Sequence, residues 1–267
     1  MFIQKLRNWL LEPTLENVDV NDDELLTKHI EILKSKTLLR SAFNTFYEDM
    51  SSQADQHIST NATEIELGSG AGFFKDKRPN VLTSDVRKSP ILDLELDAQN
   101  MPFENQSVGC IFAINVFHHL PAPEEFLHEI VRVLHANGGC ILVEPHNGFL
   151  SKHLHRHLHS DEHFDINALG WNTDEINGPM AGANQAKAHI VFSRDRERFE
   201  QLFGDHLEIV SQTYCLNSFR YLFSGGLNFR QLLPSMSERP LKWIESLASP
   251  FAKFWSLHRI TVIRRKN

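Results

Sequence analysis

Hydrophobic positions follow two different periods along the chain. Between residues 61 and 145, short apolar runs alternate with amphipathic stretches, a pattern typical of strands that alternate with helices. Apolar residues on one side of Pro123–His135 predict a helix, which the glycine-rich Asn137-Gly138-Gly139 should end. The predicted strands are Ile65–Leu67, Val81–Asp85, Val108–Val116 and Cys140–Val143. Such alternation predicts an α/β fold, with a parallel sheet and helices on both faces.

The flanking segments show different patterns. Residues 1–60 have a helical spacing of apolar positions and predict an N-terminal helical cap. Residues 146–267 predict a helix near 194–202, a strand at Leu207–Tyr214 and a final strand at Ile260–Ile263. Between those strands, residues 219–257 are aromatic and partly helical. We expect one domain: the cap, a core over 61–145, and an acceptor-side lid segment over 146–267.

Composition limits the class of protein. The 267 residues carry a net charge of −7, which argues against a nucleic-acid partner. Three scattered cysteines and the lack of a convincing signal peptide favour a reducing, cytoplasmic location. No window approaches the roughly 20 apolar residues of a transmembrane helix.

The first predicted strand leads into a glycine-rich turn, Gly68-Ser69-Gly70-Ala71-Gly72, which we expect to open a helix. A dinucleotide-binding turn needs a third glycine where this chain has Phe73, and no Gly-Lys-Ser/Thr follows for a phosphate-binding loop. Glu66 lies just before the turn and would repel a pyrophosphate. It suits a ligand with an ammonium group.

Further polar residues follow the other predicted strands. Asp85 ends the second strand, where a carboxylate can accept hydrogen bonds from a ribose diol. Asp97 and Ala98 come next, and that carboxylate can accept from an adenine amino group. Asn115 lies at the end of the predicted strand Val108–Val116, and His118 and His119 follow that strand.

The order of these blocks over residues 64–145 resembles the cofactor-binding half of class I S-adenosylmethionine (SAM) methyltransferases that act mostly on small molecules and lipids. The resemblance implies a Rossmann-like mixed seven-stranded sheet. It places Glu66 with Gly68, Ser69, Gly70 and Gly72 at the methionyl end of SAM, whose product is S-adenosylhomocysteine. It also implies Asp85 at the ribose, Asp97 with Ala98 at the adenine, and Asn115 nearby.

Two further comparisons qualify this resemblance. Only eleven residues separate Asp85 from Asp97, too few for the usual helix and a full third strand. Either that helix is reduced to a loop or Asp85 is displaced. Segments beginning at Phe192 and Phe219 resemble a set of bacterial methyltransferases of undefined substrate.

A hydroxyl acceptor would need a general base, and the two histidines after the predicted strand Val108–Val116 are candidates. We favour His119 over His118; the alternative is that they only shape the loop. Glu144, His146 and Tyr221 are candidate acceptor contacts, and packing is their alternative. The acceptor would be a small molecule, a lipid or a glycan precursor, methylated on O, N or C.

Four questions stay open at this point. The alternating histidines His153, His155, His157 and His159, with His163, could grip zinc, although methyl transfer needs no metal and we predict none. The aromatic segment could be a lid or a satellite core. Either Leu241–Leu257 or the N-terminal eleven residues could touch a membrane surface weakly. The rival function is a non-catalytic SAM- or nucleotide-binding module, such as a regulatory subunit.

Overall fold

The computed structural model describes residues 9–15, 24–157, 163–173 and 183–267. Its centre is one seven-stranded sheet in the order β3-β2-β1-β4-β5-β7-β6. The strands are β1 Thr63–Leu67, β2 Leu82–Asp85, β3 Leu94–Glu95, β4 Val108–Ile114, β5 Leu134–Pro145, β6 Leu207–Tyr214 and β7 His258–Arg265.

Strand direction divides the sheet into two parts. Strands β1 to β5 pair in parallel, whereas β7 runs antiparallel between β5 and β6. The sheet is therefore mixed, as expected. The carboxyl ends of β1, β2, β4 and β5 meet at one edge, which is where ligands bind in open α/β sheets.

Helices lie on both faces of the sheet. They are α1 Glu24–Ser35, α2 Thr37–His57, α3 Pro123–Val133, α4 Phe149–His157, α5 Lys187–His189, α6 Arg196–Phe203, α7 Ser218–Ser224, α8 Glu238–Leu247 and α9 Ala252–Trp255; a π-helical turn, Ile190–Arg194, follows α5. No helix within the described ranges is long and apolar enough to cross a membrane.

Two hydrophobic clusters cover the two faces. On one face, α2 packs Phe46, Tyr47 and Met50 against a cluster that includes Phe112 of β4. On the other, α3 and α6 pack against alternate residues of β4 and β5. The run of buried residues in β4 fits a strand that is covered on both sides.

One expected helix is absent from its predicted place. Only a 3₁₀ turn, Phe74–Asp76, follows the glycine-rich turn, so the prediction of a helix there is wrong. Pro79 stops any helix after a few residues, because the residue before a proline is pushed out of the α conformation. The stretch between β2 and β3 is a loop, and Ser89-Pro90 lies within it.

The predicted glycine stop after α3 is also wrong. The helix already ends at Val133, and the Asn137-Gly138-Gly139 stretch belongs to β5. A β-carbon on Gly138 would lie 2.8 Å from the Gly109 carbonyl oxygen, and one on Gly139 would lie 2.8 Å from the Ile263 carbonyl oxygen. These glycines therefore allow neighbouring strands to approach closely.

Candidate active site

The glycine-rich turn after β1 has a backbone that favours glycine. Gly68 has φ +59° and Gly70 has φ +46°. A β-carbon on Gly68 would collide with Cγ2 of Val116, which follows β4, and one on Gly72 would collide with the Tyr47 hydroxyl. Glycine therefore permits both the turn and its close packing.

Glu66 is buried at the end of β1 with a carboxylate oxygen left over. Its side chain is 2% exposed, and Oε2 has no hydrogen-bond partner among the described residues. Burial raises the pKa of Glu66 from 4.5 to about 8, against the opposing effect of a hydrogen bond from Ser69. A buried acid of this kind would be stabilised by a cationic ligand group.

Ser69 fastens the turn to β2. Its hydroxyl donates to the Glu66 carbonyl oxygen at 3.1 Å and accepts from the Ser84 backbone N–H at 3.1 Å. Ser84 in turn donates its hydroxyl to the same carbonyl at 2.8 Å. These bonds fix the separation of β1 and β2 where the turn begins.

The two predicted nucleotide-contacting acids both cap local turns. Asp85 lies at the carboxyl end of β2, where Oδ1 accepts from the Arg87 backbone N–H at 3.0 Å. Its strand is in place, so the short stretch beyond it reduces the helix to a loop without displacing Asp85. Asp97 is exposed, and its Oδ1 accepts from the Gln99 N–H at 2.9 Å; Ala98 beside it is buried.

Asn115 begins the segment after β4 in the left-handed backbone region. Its φ is +57°, and Asn tolerates this conformation better than most residues. The backbone N–H donates to the Val143 carbonyl of β5 at 2.8 Å, while Oδ1 is buried without a partner in the described structure. Like Glu66, Asn115 therefore keeps an unused acceptor near the edge of the sheet.

Glu144 accepts hydrogen bonds from the 3₁₀ turn Phe117–His119, which contains the two candidate histidines. One of its oxygens accepts the backbone N–H groups of Val116 and Phe117 at 3.0 and 2.8 Å. The other accepts the His118 N–H and lies 2.6 Å from the His118 ring Nδ1. Both oxygens therefore serve the 3₁₀ turn Phe117–His119. These bonds do not test the prediction that Glu144 contacts the acceptor.

His119 faces a different environment from its neighbour. The two rings lie 4.0 Å apart, and Nδ1 of His119 is buried without a partner among the described residues. Burial is the main cause that holds the pKa of His119 well below its usual range, and the nearby His118, Lys187 and Arg87 act in the same direction. The ring is therefore neutral at pH 7, and it is a weaker base than a free imidazole.

Three residues near this site were not predicted from the sequence. Tyr47 of α2 accepts the Phe73 N–H at 3.2 Å, beside the glycine-rich turn. Lys187 is buried and donates to the Leu120 carbonyl, and burial lowers its pKa to about 8. Arg87 also contributes to the electrostatics of His119. Their places depend on tertiary packing, and no local spacing marked them.

The other candidate acceptor residues lie near the carboxyl end of β5. His146 Nε2 is 3.2 Å from the Lys253 carbonyl oxygen, and its ring is 4.8 Å from that of Tyr214. Burial lowers the pKa of His146 to about 4. Tyr221 packs edge-on against Phe46 and His258. The structure thus brings Tyr221 into the core packing near the end of β5.

The histidine-rich segment gives little information. His153 Nδ1 lies 3.1 Å from the Phe149 carbonyl oxygen. The side chains of His155 and His157, and all of His159, lie outside the described residues. Among the residues that the structure does describe, no group of three or more possible metal ligands occurs. The three cysteines are free and buried.

Comparison with known proteins identifies the domain. Residues 65–142 match a family model described as a methyltransferase domain. This stretch runs from β1 into β5 and contains the glycine-rich turn. Over this stretch the chain is therefore similar to methyltransferase domains. No curated protein matches the chain.

Solved structures with a similar fold share little sequence with the chain. Geranyl diphosphate C-methyltransferase from Streptomyces coelicolor A3(2) is 10% identical, with a TM-score of 0.43 over 81% of this chain and 79% of that one. A SAM-dependent methyltransferase from Aquifex aeolicus is 12% identical, with a TM-score of 0.41 over 82% and 90%. Similarity at this level does not identify the acceptor.

The residues at the edge of the sheet fit SAM. Glu66 would offer a buried, unpartnered carboxyl oxygen to the amino group, and Asn115 would offer a second unused acceptor. Gly68 and Gly70 leave the turn without side chains, so a ligand can approach the backbone. SAM supplies an activated methyl group on a sulfonium sulfur.

Proposed function

We propose that Glu66 and the glycine-rich turn hold the methionyl end of SAM, and that a small-molecule or lipid-like acceptor is methylated at the edge of the sheet. The observation that carries this proposal is the buried, unpartnered Oε2 of Glu66 beside a turn that lacks side chains. Without a cation this carboxylate is costly to ionise, and an ammonium group removes that cost.

The remaining cofactor contacts follow the strand order. We assign the ribose to Asp85, the adenine side to Asp97 and Ala98, and a supporting contact to Asn115. Asp85 lies at the carboxyl end of β2, next to the strand that carries Glu66. Asp97 is exposed, so its carboxylate is available to a ligand. Ser69 would position the turn through its bonds to β1 and β2.

His119 is the proposed general base. Its ring is neutral at pH 7, and its Nδ1 is unused by the described residues. The Nδ1 of His118 is already engaged by Glu144, so His118 and Glu144 would act as positioning residues that hold His119 in place. For an acceptor that needs no deprotonation, positioning alone would suffice.

Several wider expectations stay predictions. They are the cap role of residues 1–60, the acceptor-side role of 146–267 including His146 and Tyr221, a cytoplasmic location, and the absence of a nucleic-acid partner. The covering of the glycine-rich turn supports the cap role, because Ile32 and Leu33 of α1 belong to a cluster against which Ala71 and Phe73 pack.

The proposal can be tested by following S-adenosylhomocysteine formation from SAM over fractionated small-molecule and lipid extracts. We expect at least one fraction to support turnover by the wild type. His119→Ala should lose roughly 100-fold or more in turnover while SAM binding stays normal. Near-full turnover by that variant would remove His119 from the mechanism. SAM binding without turnover in any fraction would contradict the proposed reaction and favour a binding module.

A further inference from the structure

Helix α8 has an apolar face that the fold leaves uncovered. Leu241 and Glu245 are buried, whereas Trp243, Ile244 and Leu247 are 66%, 43% and 61% exposed. Residues three and four apart share one face of a helix, so these three side chains form a stripe. The stripe lies away from the buried side of the helix.

The exposed stripe continues beyond α8. Phe251 and Phe254 are 63% and 52% exposed. The Trp255 indole N–H donates to the Ala248 carbonyl at 2.9 Å, which folds this stretch back onto the end of α8. We call Trp243, Ile244, Leu247, Phe251 and Phe254 the apolar stripe. Five large exposed side chains in twelve residues exceed the scattered apolar residues of an ordinary surface.

The orientation of α8 is fixed from the inside. The two carboxylate oxygens of Glu245 accept from the Arg220 backbone N–H at 2.9 Å and from its Nε at 2.7 Å. Rotating α8 to bury the stripe would break this pair and leave two charges without partners, at a large cost. The buried Arg220–Glu245 pair therefore fixes α8 in the orientation that exposes the stripe.

The charges around the stripe are mainly basic. Arg239, Lys242 and Lys253 are exposed, and the Lys253 ammonium lies over the Phe254 ring at 4.8 Å. The half-buried Glu238 pairs with Lys242, and Glu245 is buried. The whole chain has a net charge of −7, so this surface opposes the overall sign. Basic residues beside exposed Trp, Phe and Leu complement anionic phospholipid head groups.

We propose that the apolar stripe docks the protein on an anionic membrane surface, with its side chains at the boundary between head groups and acyl chains. Docking would bring the edge of the sheet close to the lipid, because the Lys253 carbonyl oxygen contacts His146 directly after β5. This inference goes beyond the proposed function and does not depend on which acceptor is methylated.

The test is flotation of the full chain with vesicles of phosphatidylcholine alone or with an added anionic phospholipid. The wild type should bind the anionic vesicles, and binding should weaken as salt rises. Leu247→Glu should reduce the partition roughly tenfold or more, because it places a carboxylate in the stripe. Leu202→Glu is the matched control: Leu202 is a 50% exposed helical leucine outside the stripe and should bind like the wild type.

Each outcome decides the proposal. Circular dichroism first confirms that both variants fold. Failure of the wild type to float, equal binding to neutral vesicles, or equal losses in the two variants would overturn the docking. A concentration-dependent dimer that Leu247→Glu dissociates would also overturn it, because the stripe would then bind a second copy of the chain.

Discussion

The burial of Glu66 makes the stability of the free protein depend on pH. Burial raises the pKa of Glu66 from 4.5 to about 8, so between these values the folded chain keeps a proton that the unfolded chain releases. The stability contributed by this group is fully present below pH 4.5 and is lost as the pH rises through 8. A bound cation would reverse that loss.

Glu66→Gln should therefore flatten the pH dependence of stability in the absence of ligand. We expect the wild type to lose more unfolding free energy than the variant between about pH 5 and about pH 8.5, by a margin on the order of a few kcal/mol. Urea unfolding at both pH values measures it. Parallel pH profiles for the two proteins would show that Glu66 ionises normally.

Substitution of Gly68 tests how tightly the glycine-rich turn packs against Val116. Gly68→Ala should lower the unfolding free energy by about 1–3 kcal/mol, because φ is +59° and the new β-carbon meets Val116. Adding Val116→Ala should recover only part of the loss, because the backbone strain remains. Gly170→Ala is the control, since a β-carbon there meets only the Asn172 carbonyl oxygen at 3.9 Å. Equal stability of the Gly68 and Gly170 variants would contradict this account.

At this scale the sequence predicts some residues better than others. Glu66 and the turn glycines stood out because their spacing is local, within seven residues. Tyr47 lies 19 residues before Glu66, and Lys187 lies well over a hundred residues after it. No short stretch of sequence therefore shows that these residues belong to the same site. The division of work between His118 and His119 depends on Glu144, and only the fold shows that contact.

At the scale of elements, an ion pair joins three helices. Arg220 of α7 pairs with Glu245 of α8 and donates to the Ser41 hydroxyl of α2 at 2.8 Å. Arg220 and Glu245 are 2% and 1% exposed, and burial raises the pKa of Glu245. This network fastens the C-terminal segment onto the long N-terminal helix.

Arg220→Ala should lower the unfolding free energy by about 3–5 kcal/mol, because it leaves the Glu245 carboxylate buried without its partner. The control is Arg196→Ala, whose exposed pair with Glu200 should be worth less than about 0.5 kcal/mol. Denaturant midpoints compare the two variants. Similar small losses in both would mean that the buried network does not hold the segment.

Strands were predicted more accurately than connections. The apolar run of β4 and the bounds of β6 follow from periodicity, because their burial is repeated along the strand. Pro79 and the glycines at 138 and 139 were harder to interpret. Proline and glycine each indicate a helix boundary locally. Pro79 instead limits the chain after the glycine-rich turn to a short 3₁₀ turn. Gly138 and Gly139 instead allow the backbones of β4 and β7 to approach β5.

At the scale of the whole molecule, strand order determines the site. The central position of β1 and β4 brings Glu66 and Asn115 to one edge, and β5 adds Glu144 beside them. Alternating strands and helices predicted the parallel part of the sheet. The antiparallel insertion of β7 was implied only by the resemblance, because its partner β6 lies more than forty residues away and the pairing leaves no local mark.

The central claim is that Glu66 receives the cationic end of SAM. Calorimetric titration at pH 7, in buffers of different ionisation enthalpy, tests it most directly. We predict that the wild type binds one SAM per chain and releases a proton, because Glu66 is largely protonated before binding. Glu66→Gln should bind roughly tenfold or more weakly without that release. Absence of binding, or equal affinity and proton release in both proteins, would contradict the claim.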